Sequence, residues 1–167
     1  MKKVEILNTQ QILQKLNRLA YEIYEHTVDE KEIILAGIDG NGYLVAKKLN
    51  DLLKKIAKYK ITLGKISLNK KNPLVKNPTI DFTETAYKNK TVIVVDDVLN
   101  SGKTLIYAVQ LFLNQPIKKL HTLVLVDRSH TQYPIKADFV GLSLSTTLQE
   151  HIVADFSING KETVYLE

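Results

Sequence analysis

The stretch Val92–Leu105, VIVVDDVLNSGKTL, decides the fold of this chain. Val92, Ile93, Val94 and Val95 form a short, continuous β-branched run. Such a run fits a strand buried on both faces, as in a parallel sheet. Asp96 and Asp97 follow at its carboxyl end. Then come the turn-formers Asn100, Ser101 and Gly102, and Lys103-Thr104 opens an apolar-periodic run through Leu105, Ala108, Val109 and Phe112. The order is strand, acidic tip, small-residue turn, helix. Ligands of open α/β sheets gather at the carboxyl ends of strands. A small-residue turn leading into a helix start presents unpaired N–H groups to an anion.

A second unit of the same kind lies upstream. Glu32–Ile38 (EIILAGI) reads as a buried strand, Asp39-Gly40-Asn41-Gly42 as a tight glycine turn, and Tyr43–Ile56 as a helix with Val45, Leu49, Leu52, Leu53 and Ile56 inward. Before it, Asn8 or Thr9 caps a helix whose stripe of Ile12, Leu13, Leu16, Leu19, Ala20 and Ile23 packs on a core. Tyr59–Leu68 alternates like a strand, with a bulge expected at Gly64. Asn69–Thr79 (NKKNPLVKNPT) has no period, and two prolines make it a long loop of the lid kind. Leu120–Val126 is another buried strand, ending in Asp127-Arg128. Short strand-like pieces occupy 129–147. His151–Leu166 reads as a hairpin turning at Asn159-Gly160 in type I′ geometry. The expectation is one α/β domain over residues 1–167.

Gly102-Lys103-Thr104 also ends like a P-loop. That loop needs a glycine five residues earlier, where this chain has Asp97, a carboxylate that would repel phosphates. With no cysteine, disulfide and thiolate-metal chemistry are excluded. No apolar run is long enough for a membrane span, and the polar N-terminus does not read as a signal peptide, so a cytoplasmic protein is expected. The net charge of +5 sits in one place: Leu52–Ile80 carries eight lysines and no acid. Such a stretch is either a solvated lysine-rich surface or an attractor of polyanions.

The whole of VIVVDDVLNSGKT resembles the 5-phosphoribosyl 1-pyrophosphate (PRPP) signature of type I phosphoribosyltransferases, with Ser101 where Thr is usual. LVLVDRSHTQYPIKADFVG (123–141) narrows the likeness to the pyrimidine operon attenuator / uracil phosphoribosyltransferase (PyrR) family, over roughly residues 5 to 166. The resemblance implies a five-stranded, mainly parallel sheet flanked by helices, with a small hood formed mainly by 128–150 and a C-terminal hairpin over 151–166. It implies uracil plus PRPP giving UMP and pyrophosphate, with Mg²⁺ on PRPP, in a homodimer or larger oligomer. Asp96 and Asp97 would hold the ribose hydroxyls. Leu99, Asn100, Ser101, Gly102, Lys103 and Thr104 would take the 5′-phosphate. Asp39, Gly40, Asn41 and Gly42 would form the pyrophosphate loop, and Asp39 is a candidate to bridge the metal. Lys70 and Lys71 would lie on a flap spanning 69–79, and Asp127, Arg128, Phe139 and Val140 would face the base. The family's pyrophosphate loop reads Lys-Thr-Arg-Gly and its flap Tyr-Arg-Asp. Here acid and amide replace the cations of the loop, and lysine, without a bidentate fork, those of the flap. Slow transfer is therefore expected. The alternative is an RNA-binding regulator of a pyrimidine operon that senses uridine nucleotides with little or no catalysis.

Overall fold

The computed structural model describes residues 3–147 and 150–167. Among the described residues nine strands and three α-helices follow in order: β1 (Val4–Leu7), α1 (Thr9–Thr27), β2 (Glu32–Ile38), α2 (Asn41–Ile56), β3 (Lys60–Ser67), β4 (Thr79–Ile80), β5 (Thr91–Leu99), α3 (Lys103–Gln110), β6 (Lys119–Asp127), β7 (Phe139–Ser143), β8 (Ile152–Asp155) and β9 (Thr163–Leu166). The main sheet has the order β4-β3-β2-β5-β6-β7. Its five long strands are parallel, and the two-residue β4 adds an antiparallel edge. The expected five-stranded parallel sheet is thus present.

Parallel strands are covered on both faces, which explains their uninterrupted apolar sequences. Side chains alternate across β5. Ile93 and Val95 join the core beneath α1 and α2, whereas Val92 and Val94 join the core beneath α3. The α1 start is fixed by Asn8, whose side chain accepts the Gln11 N–H while Gln11 answers to the Asn8 N–H. Such a reciprocal box is worth about 1 kcal/mol.

Four expectations change. β5 runs on to Leu99, so Asp96 and Asp97 lie within the strand rather than beyond it. Gly64 is no bulge, because β3 pairs with β2 in unbroken register from Lys60 to Ile66. Its missing side chain instead admits Phe82, whose ring carbon would lie 2.2 Å from a Cβ at Gly64. The C-terminal hairpin forms, but residues 156–162 connect Asp155 to Thr163. Gly160 has φ +82° and Asn159 does not have positive φ, so the turn is not type I′.

The hood is the largest change. β1, β9 and β8 form a separate three-stranded sheet, joining residues 4–7 to 152–166. The 128–150 span does not build it. Phe139–Ser143 is instead the last parallel strand of the main sheet, paired with β6, and residues 148 and 149 lie outside the described residues. The reason is hydrophobic: Phe139 is 2% exposed and packs against His26 and His121, which a hood position would forbid.

Candidate functional site

β2 and β5 are adjacent and parallel, so the loops after them share one edge of the sheet. Both loops feed helices without a side-chain cap. Gly40 precedes α2 with φ +92°, and Gly102 precedes α3 with φ +83°. Only glycine adopts these angles readily. The uncapped first turns leave backbone N–H groups, and the positive ends of two helix dipoles, facing the same cleft.

That cleft has a volume of about 280 Å³. Its floor is Asp96 to Gly102, with Thr104 and Leu105, and its opposite wall is Ile152, Val153 and Ala154 of the hood. Asn41 and Lys70 close the sides. The two acids point differently because they are neighbours on a strand. Asp97 accepts a hydrogen bond from Asn41 Nδ2 at 3.1 Å, toward α2 and the hood. Asp96 meets Lys70 of the flap at 3.7 Å.

Asp96 is 4% exposed. Burial, then the Asp97 carboxylate, pushes its carboxyl well above the ordinary range, and Lys70 pulls only partly back. Asp96 Oδ1 also accepts the Asp97 N–H at 3.0 Å. Gly42 makes this close approach possible, since a Cβ there would stand 2.8 Å from Asp96 Oδ1 and 3.0 Å from Val95 O.

The loop after β5 is braced from behind by residues 132–135, within the family-like stretch 123–141. Gln132 and Tyr133 donate their N–H groups to Ser101 O at 2.8 and 3.0 Å. Ile135 packs so close to Gly102 that a Cβ there would meet it at 2.8 Å. Ser101 Oγ accepts the Lys103 N–H at 3.3 Å. Lys103 Nζ donates to Lys71 O at 3.1 Å, which holds the flap against the loop. Asn69 Oδ1 accepts the N–H groups of Lys71 and Asn72, so the flap begins with a local turn.

Asp39 is more than half exposed, accepts the Gly40 N–H and pairs with Lys65 at 3.8 Å. The peptide bonds here, as throughout the described residues, are trans. Asp127 and Arg128 end β6 at the same sheet edge, but both are engaged locally. Asp127 accepts the Ser129 N–H, and the buried Arg128 holds Thr146 and Thr147. Phe139 and Val140 pair with Leu123 and Val124, three to four residues short of that edge. They are core residues, not part of the cleft wall. The residues that do form the wall, Ile152–Ala154, carried no signal beyond ordinary strand alternation.

No group of three or more His, Asp or Glu residues able to hold a metal occurs among the described residues. One or two carboxylates beside a phosphate site still fit Mg²⁺ shared with a substrate, which is how that ion is commonly held. No helix of the described residues is long and apolar enough to cross a membrane.

The profile of the phosphoribosyl transferase domain matches residues 3–160. The chain belongs to this family. Among curated relatives of this phosphoribosyl transferase is the "Bifunctional protein PyrR" of Streptococcus suis, 32% identical over 99% of this chain and 98% of the relative. The protein of the same name from Streptococcus mutans is 34% identical over 99% of this chain and 96% of the relative. The expected likeness to PyrR therefore holds along nearly the whole chain. Among solved structures, a hypoxanthine-guanine phosphoribosyltransferase of Bacillus anthracis superposes with TM-score 0.75 at 21% identity, covering 98% of each chain. The hypoxanthine phosphoribosyltransferase of Trypanosoma cruzi gives TM-score 0.77 at 14% identity, over 97% of this chain and 94% of that one. These two attest the fold of this phosphoribosyl transferase.

Proposed function

We propose that the protein transfers the ribosyl 5-phosphate of PRPP to uracil, giving UMP and pyrophosphate, and does so slowly. One observation carries this reading: two uncapped helix starts flank the Asp96–Asp97 pair in a single cleft. A pair of carboxylates accepts from a ribose diol. The N–H groups from Ser101 to Thr104 suit the 5′-phosphate, and the start of α2 suits the departing pyrophosphate. In transfer, the bond from ribose C1′ to pyrophosphate breaks as the bond to uracil nitrogen forms, with positive charge at C1′ between them. The Asp97 carboxylate, facing the ribose, stabilises that charge and leaves no need for a covalent nucleophile. Asn100, an amide, takes no proton, so the uracil N–H proton leaves to solvent or to pyrophosphate. The apolar wall Ile152–Ala154 packs on the base and keeps water from C1′. Mg²⁺ would be held by Asp97 or Asp39 together with substrate oxygens and would neutralise charge on the pyrophosphate.

Slowness follows from the pyrophosphate loop. Asp39 offers only acceptors, and no cation of the loop replaces it. The two lysines beside it are already engaged, Lys65 by Asp39 itself and Lys70 by Asp96. The test is PRPP-dependent UMP formation in Mg²⁺ buffer beside calorimetric titration with UMP. Binding of UMP with slow turnover is the expected result. Failure of UMP and PRPP alike to bind would overturn the reading.

The second reading is an RNA-binding, uridine-nucleotide-sensing regulator, and the relatives' name "bifunctional" supports it. The lysine-rich stretch supports it less than its charge implies. Lys60, Lys65 and Lys70 are engaged by Glu32, Asp39 and Asp96 within the chain. The reading also includes a cytoplasmic homodimer. The half-exposed Leu13 and Tyr21, two turns apart on α1, support an association face, which sedimentation tests.

A further inference from the structure

Asn41 stands in the pyrophosphate loop, yet its side chain is turned away from that task. Its amide nitrogen donates to Asp97 Oδ2 at 3.1 Å and to the main-chain oxygen of Ala154 at 2.8 Å. An amide NH₂ has two hydrogens, so neither remains for a phosphate. Asn41 is the first residue of α2, where helical backbone geometry fixes the origin of the side chain. Ala154 belongs to β8, on the wall across the cleft from the phosphate loop. One side chain therefore touches the pyrophosphate loop, the acid pair and the hood.

The hood has a second anchor on the same helix. Lys48 Nζ pairs with the buried Glu162 at 2.6 Å and donates to Asn159 at 3.1 Å. Positions 41 and 48 are two turns apart on one helix face. Thr9 Oγ1 adds a bond to the Glu162 carbonyl at 2.8 Å. Lys48 and Thr9 hold the hood to the body, but of these anchors only Asn41 also reaches a residue of the acid pair.

We propose that Asn41 is a positioning residue: it orients Asp97 for the ribose hydroxyls, using the hood carbonyl of Ala154 as its anchor, and so couples ribose binding to the seating of the hood. This rests on the phosphoribosyl reading above. A carboxylate on a strand rotates about its side-chain bonds unless a donor fixes it. The Asn41 amide fixes one oxygen and leaves the other lone pairs for the ligand. The amide in turn is held by a carbonyl that moves with β8. Ordering of Asp97 by a ribose and ordering of the hood by α2 therefore share one joint. The same geometry separates this loop from one carrying a cation at position 41, which would spend its charge on pyrophosphate and leave the hood unpinned at this point.

The test uses the full chain with UMP as probe, in the wild type, Asn41→Ala, Asn41→Asp, Asp97→Asn and the double variant Asn41→Ala/Asp97→Asn. Asn41→Asp keeps the shape and removes both donors. Calorimetric titration should show roughly tenfold weaker UMP binding for each Asn41 variant, the size of one hydrogen bond to a charged group. Adding Asn41→Ala to Asp97→Asn should weaken binding no further, because the residue acts through that carboxylate. Hydrogen exchange supplies a readout that a merely structural role would not move. Saturating ribose 5-phosphate, which has no base to cover Ile152–Ala154 directly, should slow exchange across residues 152–155 in the wild type and should not in Asn41→Ala. In turnover assays the loss should fall on KM for PRPP rather than on kcat. Additive losses in the double variant, or protection of β8 by ribose 5-phosphate that survives Asn41→Ala, would overturn the inference while leaving the phosphoribosyl reading intact. A wild type that binds neither UMP nor PRPP would bring down both.

Discussion

Replacing Gly42 by alanine probes whether the acid pair depends on the close approach of α2 to β5. The added methyl would meet Asp96 Oδ1 at 2.8 Å, Val95 O at 3.0 Å and Asp96 Cα at 3.1 Å. Two of these three atoms are main chain of a strand paired on both sides, by β2 and β6, and cannot yield cheaply. Overpacking of this kind costs about 1–3 kcal/mol. Alanine returns up to about 1 kcal/mol in helix propensity, less in a first turn. A net loss of about 1–2 kcal/mol should lower Tm by roughly 2–8 °C in a domain of this size. The atom that can move is Asp96 Oδ1, so the ribose site should suffer more than the fold. UMP affinity should fall roughly tenfold, as when one charge-assisted hydrogen bond is misplaced. Gly160→Ala is the control. Its φ of +82° imposes strain, but nothing lies within 4 Å of the new Cβ, so Tm should drop with UMP affinity unchanged. Scanning calorimetry and UMP titration read both quantities. A Gly42→Ala protein with wild-type Tm and wild-type affinity would refute the reasoning.

Asp96→Asn should weaken UMP binding yet stabilise the chain at neutral pH. The folded state raises the Asp96 pKa, so its burial is harmless below the unfolded value of 3.8 and becomes a penalty as pH rises through the folded value. Melting curves should therefore coincide near pH 4 and separate above it; curves that separate only in acid would contradict this. Asp39→Lys should raise kcat/KM for PRPP by roughly tenfold or more, one charge-assisted contact's worth; steady-state rates below wild type would instead make Asp39 a metal-bridging residue. Lys48→Met should cost about 1.5–3 kcal/mol by leaving the buried Glu162 carboxylate only the Gly160 N–H, and Glu162→Gln added to it should restore part of that in urea melts; strictly additive losses would show that the pair is not coupled. Hydrogen exchange across 69–78 should be fast without ligand, since the flap is tied mainly by the Lys70–Asp96 and Lys103–Lys71 contacts; strong protection would be inconsistent with a lid.

What could be read from sequence was what is local or doubly buried. Val92–Val95 and Glu32–Ile38 announce parallel strands because both faces are covered, and their loops fall at one edge by the handedness of the connection. The α1 cap was legible because Asn8 and Gln11 act within one turn. Of the hood only the C-terminal hairpin was legible, not its third strand. β1 is four residues long, and its partner strand lies at the far end of the sequence. Phe139 shows the complementary failure: a large apolar side chain suits a base pocket and a core equally, and only its pairing with Leu123 decides between them. Asn41 looks from its local sequence like a weakened phosphate ligand, since nothing local reveals that Ala154 stands within reach of its amide.

The hood also bears on how the molecule comes into being. Its β1–β9 ladder pairs Val4 with Leu166, and beside it Lys3 Nζ donates to the Tyr165 hydroxyl, 162 residues away in the chain. Closing so long a loop is entropically slow, and contacts of this separation form late. The parallel sheet from β2 to β7 can assemble while the last segment is still being made. Its phosphate-binding edge would then exist before its roof. On this order of events the sheet forms first, its cleft is open, and Ile152, Ala154, Phe156 and Val164 complete the core beneath α1 and α2 afterwards. On the reading proposed above, the wall Ile152–Ala154 would be seated only once β9 joins β8 to β1.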